Sequence, residues 1–224
     1  MKNMHPGIAE EYRRWKDQVG PDEPFRGDNI LGVHDALRAH FLIADFFATK
    51  EDPVGLIGPR DIGLLMSALG RQVVSFGGQD KWERDVEVIA TLFYGLIKNH
   101  PFHDGNKRTA LLCSLYHMLK CHLTPTVRQR EYEALTLAVA ENNLSKYPRY
   151  RDFSKKGKTD PEIRFLAQWF RNGTRPIDKK YYTITYRDLE TILNRHGYYM
   201  ENARDNHIDI VKYKTVTTLL LKRE

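Results

Sequence analysis

The chain has 224 residues, 41% of them hydrophobic, enough for one medium domain, or one plus a small appendage, with a sizeable core. Its formal net charge is +6 and its pI about 9.2, which suits acidic partners or nucleotides without choosing among them. No apolar run approaches ~18 residues, so no membrane span is expected. The charged first twenty residues lack the apolar core of a secretion signal, and the two cysteines, Cys113 and Cys121, read as reduced thiols, so a cytoplasmic location is expected.

Residues 1–28 form a polar N-terminal arm with Pro6, Pro21 and Pro24; a short helix over Glu10 to Gln18 carries Trp15, and the arm reads as surface packing. Asn29 to Thr49 is the first helix of the main domain, which spans 29–176. Its His34 and His40 stand six apart, not on one helix face, and read as partly buried histidines rather than metal ligands. Glu51 to Gly58 is a turn-rich connector. Arg60 to Leu69 reads as a short helix, and Arg71 to Phe76 as a brief β-like piece closed by Gly77-Gly78.

Val86, Ile89, Ala90, Phe93, Leu96 and Ile97 fall on one helical stripe, so a helix is predicted from about Glu83 to Asn99. Pro101 ends it by pushing the preceding residue out of the right-handed region. Residues 109–119 are apolar on nearly every side, which predicts a central, buried helix beginning at about Asn106 or Lys107.

Beyond it, His122 to Thr126 reads as a turn and Arg128 to Asn142 as a helix. Lys146 to Lys158 reads as a basic loop interleaved with Tyr147, Tyr150 and Phe153, a surface that suits RNA or an acidic partner as well as plain solvent. Asp160-Pro161 has the composition of a cap followed by proline at the first helical position, with Gly173 as the stop. Residues 177–224 form a small α+β C-terminal extension: a strand around Tyr181 to Ile184, a helix capped by Thr185 and ended by Gly197, and strands at Tyr198 to Met200, His207 to Val211 and Val216 to Leu221.

The chemistry concentrates in one loop, His100-Pro101-Phe102-His103-Asp104-Gly105-Asn106-Lys107-Arg108, between the two apolar helices. The first turn of a helix offers free N–H groups and the positive end of the macrodipole, a ready anion site. Gly105 tolerates positive φ, and Asn106 suits the turn. Lys107 and Arg108 place cations where the dipole disfavours them unless an anion is bound. Asp104 can hold Mg²⁺ together with substrate phosphates. His100 can take a proton from a hydroxyl.

This run resembles the motif of the Fic/Doc family, histidine-x-phenylalanine-x-acid-glycine-asparagine-x-arginine, at His100, Phe102, Asp104, Gly105, Asn106 and Arg108. Lys107 stands where typical Fic adenylyltransferases have a second glycine, and Leu111 where they have a second arginine. Both departures point to the Doc (death-on-curing) branch. The similarity extends through Arg60 to Leu65 and Phe76 to Gly78, covering about Asn29 to Thr174. The resemblance implies a mainly α fold, a helical bundle with a short β flap.

It implies His100 as general base, Phe102 as the loop's apolar anchor, Asp104 as the Mg²⁺ ligand, and Gly105, Asn106, Lys107 and Arg108 as the phosphate site. It also implies that Gln72, Val73, Val74 and Ser75 form a flap that docks the target peptide as an added strand; the residues alone fit an ordinary hairpin covering the core equally well. The expected activity is that of a Doc-like toxin of a toxin-antitoxin system. It would transfer phosphate from ATP or another nucleoside triphosphate, with Mg²⁺, to a Ser or Thr hydroxyl of a protein of the translation apparatus. The alternatives are transfer of AMP, or a nucleic-acid-binding protein with a non-catalytic motif. The family's inhibitory motif, Ser/Thr-x-x-x-Glu-Gly/Asn, is not apparent, so restraint by a partner antitoxin is expected.

Overall fold

In a computed structural model, residues 4–155, 159–178, 184–204 and 207–213 are described. The fold is mainly α. Helices α1 (Pro6–Val19), α2 (Val33–Phe47) and α3 (Ile62–Gly70) lead through a 3₁₀ turn, Arg71–Val73, into a hairpin of β1 (Ser75–Phe76) and β2 (Gln79–Asp80). Then come α4 (Asp85–Lys98), α5 (Asn106–Lys120), β3 (Leu123–Pro125), α6 (Gln129–Ala140), α7 (Pro148–Lys155), α8 (Pro161–Asn172) and β4 (Thr174–Pro176). The chain continues with α9 (Tyr186–Arg195), β5 (Tyr198–Arg204) and β6 (His207–Lys212). It divides into two compact units, residues 1–177 and 178–224. No helix among the described residues is long and apolar enough to cross a membrane.

The axis of the first unit is α4, not α5 as the residue pattern suggested. Ile89, Ala90, Leu92, Phe93, Leu96 and Ile97 of α4 are all buried, and the helix touches α3, α5, α6 and α8. Gly95 makes this possible: a Cβ there would meet the Ala68 backbone at 3.3 Å, so α3 lies directly on α4. Helix α5 packs against α2, α4 and α6 but stays open on part of its surface; Tyr116 is 41% and Leu119 56% exposed. An all-apolar helix needs no burial on every side when its neighbours leave a groove over it.

Several local expectations are corrected. Helix α1 starts earlier than expected and buries Ile8 and Tyr12, with the Tyr12 ring edge-on to Phe41, so the N-terminal arm is part of the core. The His122 to Thr126 stretch is not only a turn: Leu123–Pro125 pairs antiparallel with Thr174–Pro176. Within the basic segment expected as a loop, Pro148–Lys155 is helix α7, and its Tyr150 and the preceding Tyr147 pack against Phe165. Asp160 does not cap α8 with its side chain; its φ is +54°, and its carboxylate pairs with Lys81 at 2.7 Å.

In the second unit, the Thr185 hydroxyl accepts the Asp188 N–H at 3.1 Å and begins α9. Gly197, at φ +78°, reverses the chain into the β5–β6 hairpin against which the helix packs. The strands expected around Tyr181 and at Val216 to Leu221 lie outside the described residues.

Candidate functional site

The loop between α4 and α5 is built by its own residues first. Helix α4 ends at Asn99, whose side-chain amide donates to Ser67 Oγ at 3.3 Å. His100 then takes φ +48°, the left-handed region. Pro101 pushes the residue before it out of the right-handed region but toward extended backbone, so the left-handed turn at His100 is a strain held by the surrounding loop rather than one the proline favours. The His100 side chain is exposed at the loop's entrance.

Phe102 is 1% exposed and anchors the loop in the core. Asn106 closes it: the Phe102 N–H donates to Asn106 Oδ1 at 2.9 Å, and Asn106 Nδ2 donates to the Phe102 carbonyl at 2.8 Å. The Asn106 side chain is therefore engaged with backbone, so the expectation that it lines a phosphate site narrows to its main-chain N–H. Gly105 is the N-cap of α5 at φ +71°, a conformation glycine adopts without strain. No side chain caps this helix, and its first closing bond is Thr109 N–H to the Gly105 carbonyl at 2.8 Å. The N–H groups of Asn106, Lys107 and Arg108 precede that bond and point along the dipole's positive end.

Asp104 accepts the Gly55 N–H at 2.9 Å and the Gly105 N–H at 2.5 Å. The Gly55 bond is the main reason its carboxyl is held below the usual range; the Gly105 bond, Arg108 and His40 add to this against a desolvation that opposes it. Asp104 is thus a carboxylate at neutral pH. No group of three or more potential metal-binding side chains occurs among the described residues.

The cationic pair divides. Lys107 is exposed, whereas Arg108 is partly covered. The Arg108 guanidinium forms an ion pair with Asp52 and lies 4.4 Å above the Phe47 ring. Its Nη1 is buried without a hydrogen-bond partner. Lys107, Arg108 and Leu111 together line a cavity of about 590 Å³ bounded by Phe47 of α2 and Thr136 of α6.

Residues 54–61, expected as a connector to Gly58 and as the start of a helix from Arg60, instead form a strap over the loop, and the helix begins at Ile62. The Arg60 N–H donates to the Pro101 carbonyl at 2.8 Å, and the His103 N–H to the Gly58 carbonyl at 3.2 Å. Pro59 and Phe102 form an isolated antiparallel bridge. Strap and loop meet on His40, which is fully buried rather than partly so. Its Nε2 accepts the Gly58 N–H at 2.9 Å, and its Nδ1 lies 3.2 Å from Thr109 Oγ1. Because Nε2 accepts, the tautomer carries its proton on Nδ1, which donates to the threonine. Burial pushes the His40 pKa down to about 3, so the ring is neutral. Sequence reasoning missed His40, Asp52 and Gly55 as parts of the site. Only His40 gave any signal, as a histidine within an apolar helix face.

The expected flap divides. Gln72 sits in the 3₁₀ turn and is buried: its Oε1 accepts the Leu31 N–H at 3.0 Å, and its Nε2 donates to the carbonyls of Leu31 and Leu69. Val73 shares that turn. Neither lies in extended strand backbone, because a 3₁₀ turn directs its backbone groups along its own axis. The edge belongs to Val74, Ser75 and Phe76, where Lys81 N–H donates to the Val74 carbonyl at 2.8 Å and Gly77-Gly78 makes a turn with both φ positive.

Both cysteines are buried free thiols. Burial raises the Cys113 pKa far above its usual range and that of Cys121 to about 12, so neither serves as a nucleophile.

Comparison with known proteins agrees with this geometry. The model of the Fic/DOC family matches residues 24–118, which include α2 to α4, the strap, the loop and most of α5. A curated relative, Toxin Doc of Mycolicibacterium smegmatis, is 41% identical over 56 residues, 25% of this chain. The chain spans a little under half, 43%, of that relative's length. No solved structure matches. Residues 24–118 are thus similar to the Fic/DOC family.

Proposed function

We propose that this chain is a Doc-like toxin that transfers phosphate from a nucleoside triphosphate to a serine or threonine hydroxyl of a protein, with a translation factor as the expected target class. The observation that carries the proposal is the uncapped start of α5. After Gly105 the first turn carries three main-chain N–H groups with no side-chain cap, and the same turn bears Lys107 and the guanidinium of Arg108, which line one cavity. Such a site is complementary to a triphosphate chain.

Each residue has a role in that reading. His100, exposed at the loop entrance, takes the proton from the attacking hydroxyl at Nδ1 or Nε2. The N–H groups of the first turn hold the transferring phosphate against the helix dipole, and Lys107 and Arg108 stabilise the charge that builds on it. Asp104 fits an Mg²⁺ site: it is ionised and exposed, and each oxygen spends one lone pair on backbone, leaving another for a cation. Mg²⁺ needs few protein carboxylates because it shares substrate phosphates, and when bound it neutralises their charge. The β1–β2 hairpin, through the free edge at Ser75, is the proposed docking strand for the target peptide.

Phosphate rather than AMP transfer is supported by Leu111. It lines the cavity beside Arg108, at the position where adenylyltransferases resembling this chain have a second arginine. A leucine leaves no charge there to hold the far phosphates of a nucleotide oriented for AMP transfer. A partner antitoxin is proposed on the strength of the relative's name, Toxin Doc, and of the exposed apolar side chains Tyr116 and Leu119 on α5.

Incubation of the purified chain and a cell extract with ATP labelled at either the α or the γ phosphate tests the reading. Label on protein from γ-labelled ATP alone is expected. Label from α-labelled ATP would replace phosphate transfer with AMP transfer, and no label from either, with folded protein, would remove the transferase reading.

A further inference from the structure

The net charge of this protein is not spread over its surface. Residues 146–175 hold nine lysines and arginines against three acidic residues, a surplus of six, equal to the net charge of the whole chain. Three arginines converge on one cleft of about 170 Å³. Arg84 enters from the start of α4, Arg164 and Arg171 from successive turns of α8, with Phe153 of α7 and Gln168 completing the lining. Arg164, Gln168 and Arg171 lie at i, i+4 and i+7, one exposed stripe of α8. On the other side of Gln168 a second cleft of similar volume is lined by Arg149 and Trp169.

These arginines are not spent on internal pairing. Among the described residues none of Arg84, Arg164 or Arg171 has a carboxylate partner in the ion pairs formed. Glu87, the one acid in the cleft, turns its carboxylate to the Arg84 N–H at 3.3 Å, closing the first turn of α4. Arg164 Nε donates to the Thr159 carbonyl at 2.9 Å, which fixes the guanidinium plane and leaves its outer N–H groups to solvent.

We infer that the paired clefts along α8 bind the phosphodiester backbone of single-stranded RNA. Guanidinium forks match phosphate oxygens two at a time, and a pre-oriented fork loses less entropy on binding. An α-helix is about 10–12 Å across with its side chains, so clefts of about 170 Å³ do not seat one. Trp169 and Phe153, half-buried against the core, edge the clefts beside the arginines and give them apolar walls. An acidic protein surface would meet the same charge but has no use for narrow, aromatic-edged clefts. The site is distinct from the one described above: Arg84 stands before the first residue of α4 and His100 beyond the last, about 24 Å apart along a helix rising 1.5 Å per residue.

The test is fluorescence anisotropy of the full chain with a labelled single-stranded oligoribonucleotide, between 50 and 200 mM KCl. Arg164→Gln/Arg171→Gln is expected to weaken binding tenfold or more, and Arg84→Gln alone severalfold. Arg128→Gln/Arg130→Gln, the same charge change on the exposed start of α6, is expected to weaken it less than twofold. The salt slope carries ~0.7 per phosphate contact on single strands, so losing two contacts should flatten it by about 1.4. Equal losses from both double variants would reduce the effect to long-range charge and overturn the site. So would a poly-glutamate peptide of matched charge binding as tightly as the RNA, or no RNA binding at 50 mM KCl. All variants replace exposed side chains, and circular dichroism reports their fold.

Discussion

The His40 ring lies flat against the Phe102 ring, 4.0 Å between centroids and 7° between planes. One histidine thereby touches three parts of the site. It stacks on the loop anchor, accepts the Gly58 N–H of the strap, and meets Thr109 in the first turns of α5. Its two ring nitrogens and its face are all used, so no other residue type reproduces the set. His40→Leu keeps the volume but leaves the buried Gly58 N–H without an acceptor, which costs about 1–3 kcal/mol. The expected outcome is a lower urea midpoint together with a nucleotide affinity at least tenfold weaker, although His40 faces no solvent. Unchanged affinity in a destabilised but folded protein would show that the strap does not set the loop's geometry.

His100 combines the proposed chemistry with a left-handed backbone. The two can be separated by substitution. His100→Ala keeps the strain and removes the imidazole; transfer should fall about 10²–10⁴-fold with stability unchanged. His100→Gly removes the imidazole and the strain, so the same loss of activity should come with up to about 1 kcal/mol of added stability. Thermal unfolding of both variants beside the γ-label assay checks this. Retention of most activity in either variant would exclude His100 as the base.

Much of this arrangement could be read from the residues, and what could not has a common physical cause. The end of α4 and the start of α5 were legible because proline, glycine and asparagine act on their own neighbours. The role of His40 was not, since its two hydrogen-bond partners stand 18 and 69 residues away. Nor was the β3–β4 pairing, three residues from each of two distant segments, too short to leave a period. Asp160 has a capping residue's identity and position, yet the nearby Lys81 takes its carboxylate. Tertiary attraction there outweighs a local preference worth about 1 kcal/mol. Helix α5 misled differently: its pattern reported how apolar it is, not how much of it its neighbours cover.

The Asp52–Arg108 ion pair occupies the cation that the proposed triphosphate would use. Asp52 is 81% exposed at its side chain, so the pair adds little to stability, at most about 1 kcal/mol. Its effect on an anion entering the cavity is larger, because the carboxylate must first leave. Asp52→Asn is therefore expected to tighten ATP binding three- to tenfold while moving the melting temperature by no more than a degree or two. Isothermal titration at low and moderate salt measures the first, and the gain should shrink as salt screens the competing charge. Weaker ATP binding in Asp52→Asn would mean that the aspartate positions Arg108 rather than competing for it.

Acid should loosen this fold through two buried histidines. Burial lowers the pKa of His40 to about 3 and that of His117 to about 4, from an ordinary value near 6.5. His117 keeps a 2.7 Å hydrogen bond from Nε2 to the Asn29 carbonyl, which ties α5 to the segment before α2. Above pH 6.5 both rings are neutral folded or unfolded, and stability does not depend on them. Below it the unfolded chain takes up two protons that the folded chain refuses, so stability falls as pH falls, down to about pH 4 for His117 and pH 3 for His40. Each ring contributes up to 1.36 kcal/mol per pH unit, on the order of 1–2 kcal/mol each by pH 5. Urea unfolding at pH 7, 6 and 5 should show that decline, and His117→Gln, which can still donate to the Asn29 carbonyl, should show about half of it. A wild-type stability that is flat from pH 7 to 5 would mean that both rings protonate without leaving the folded core.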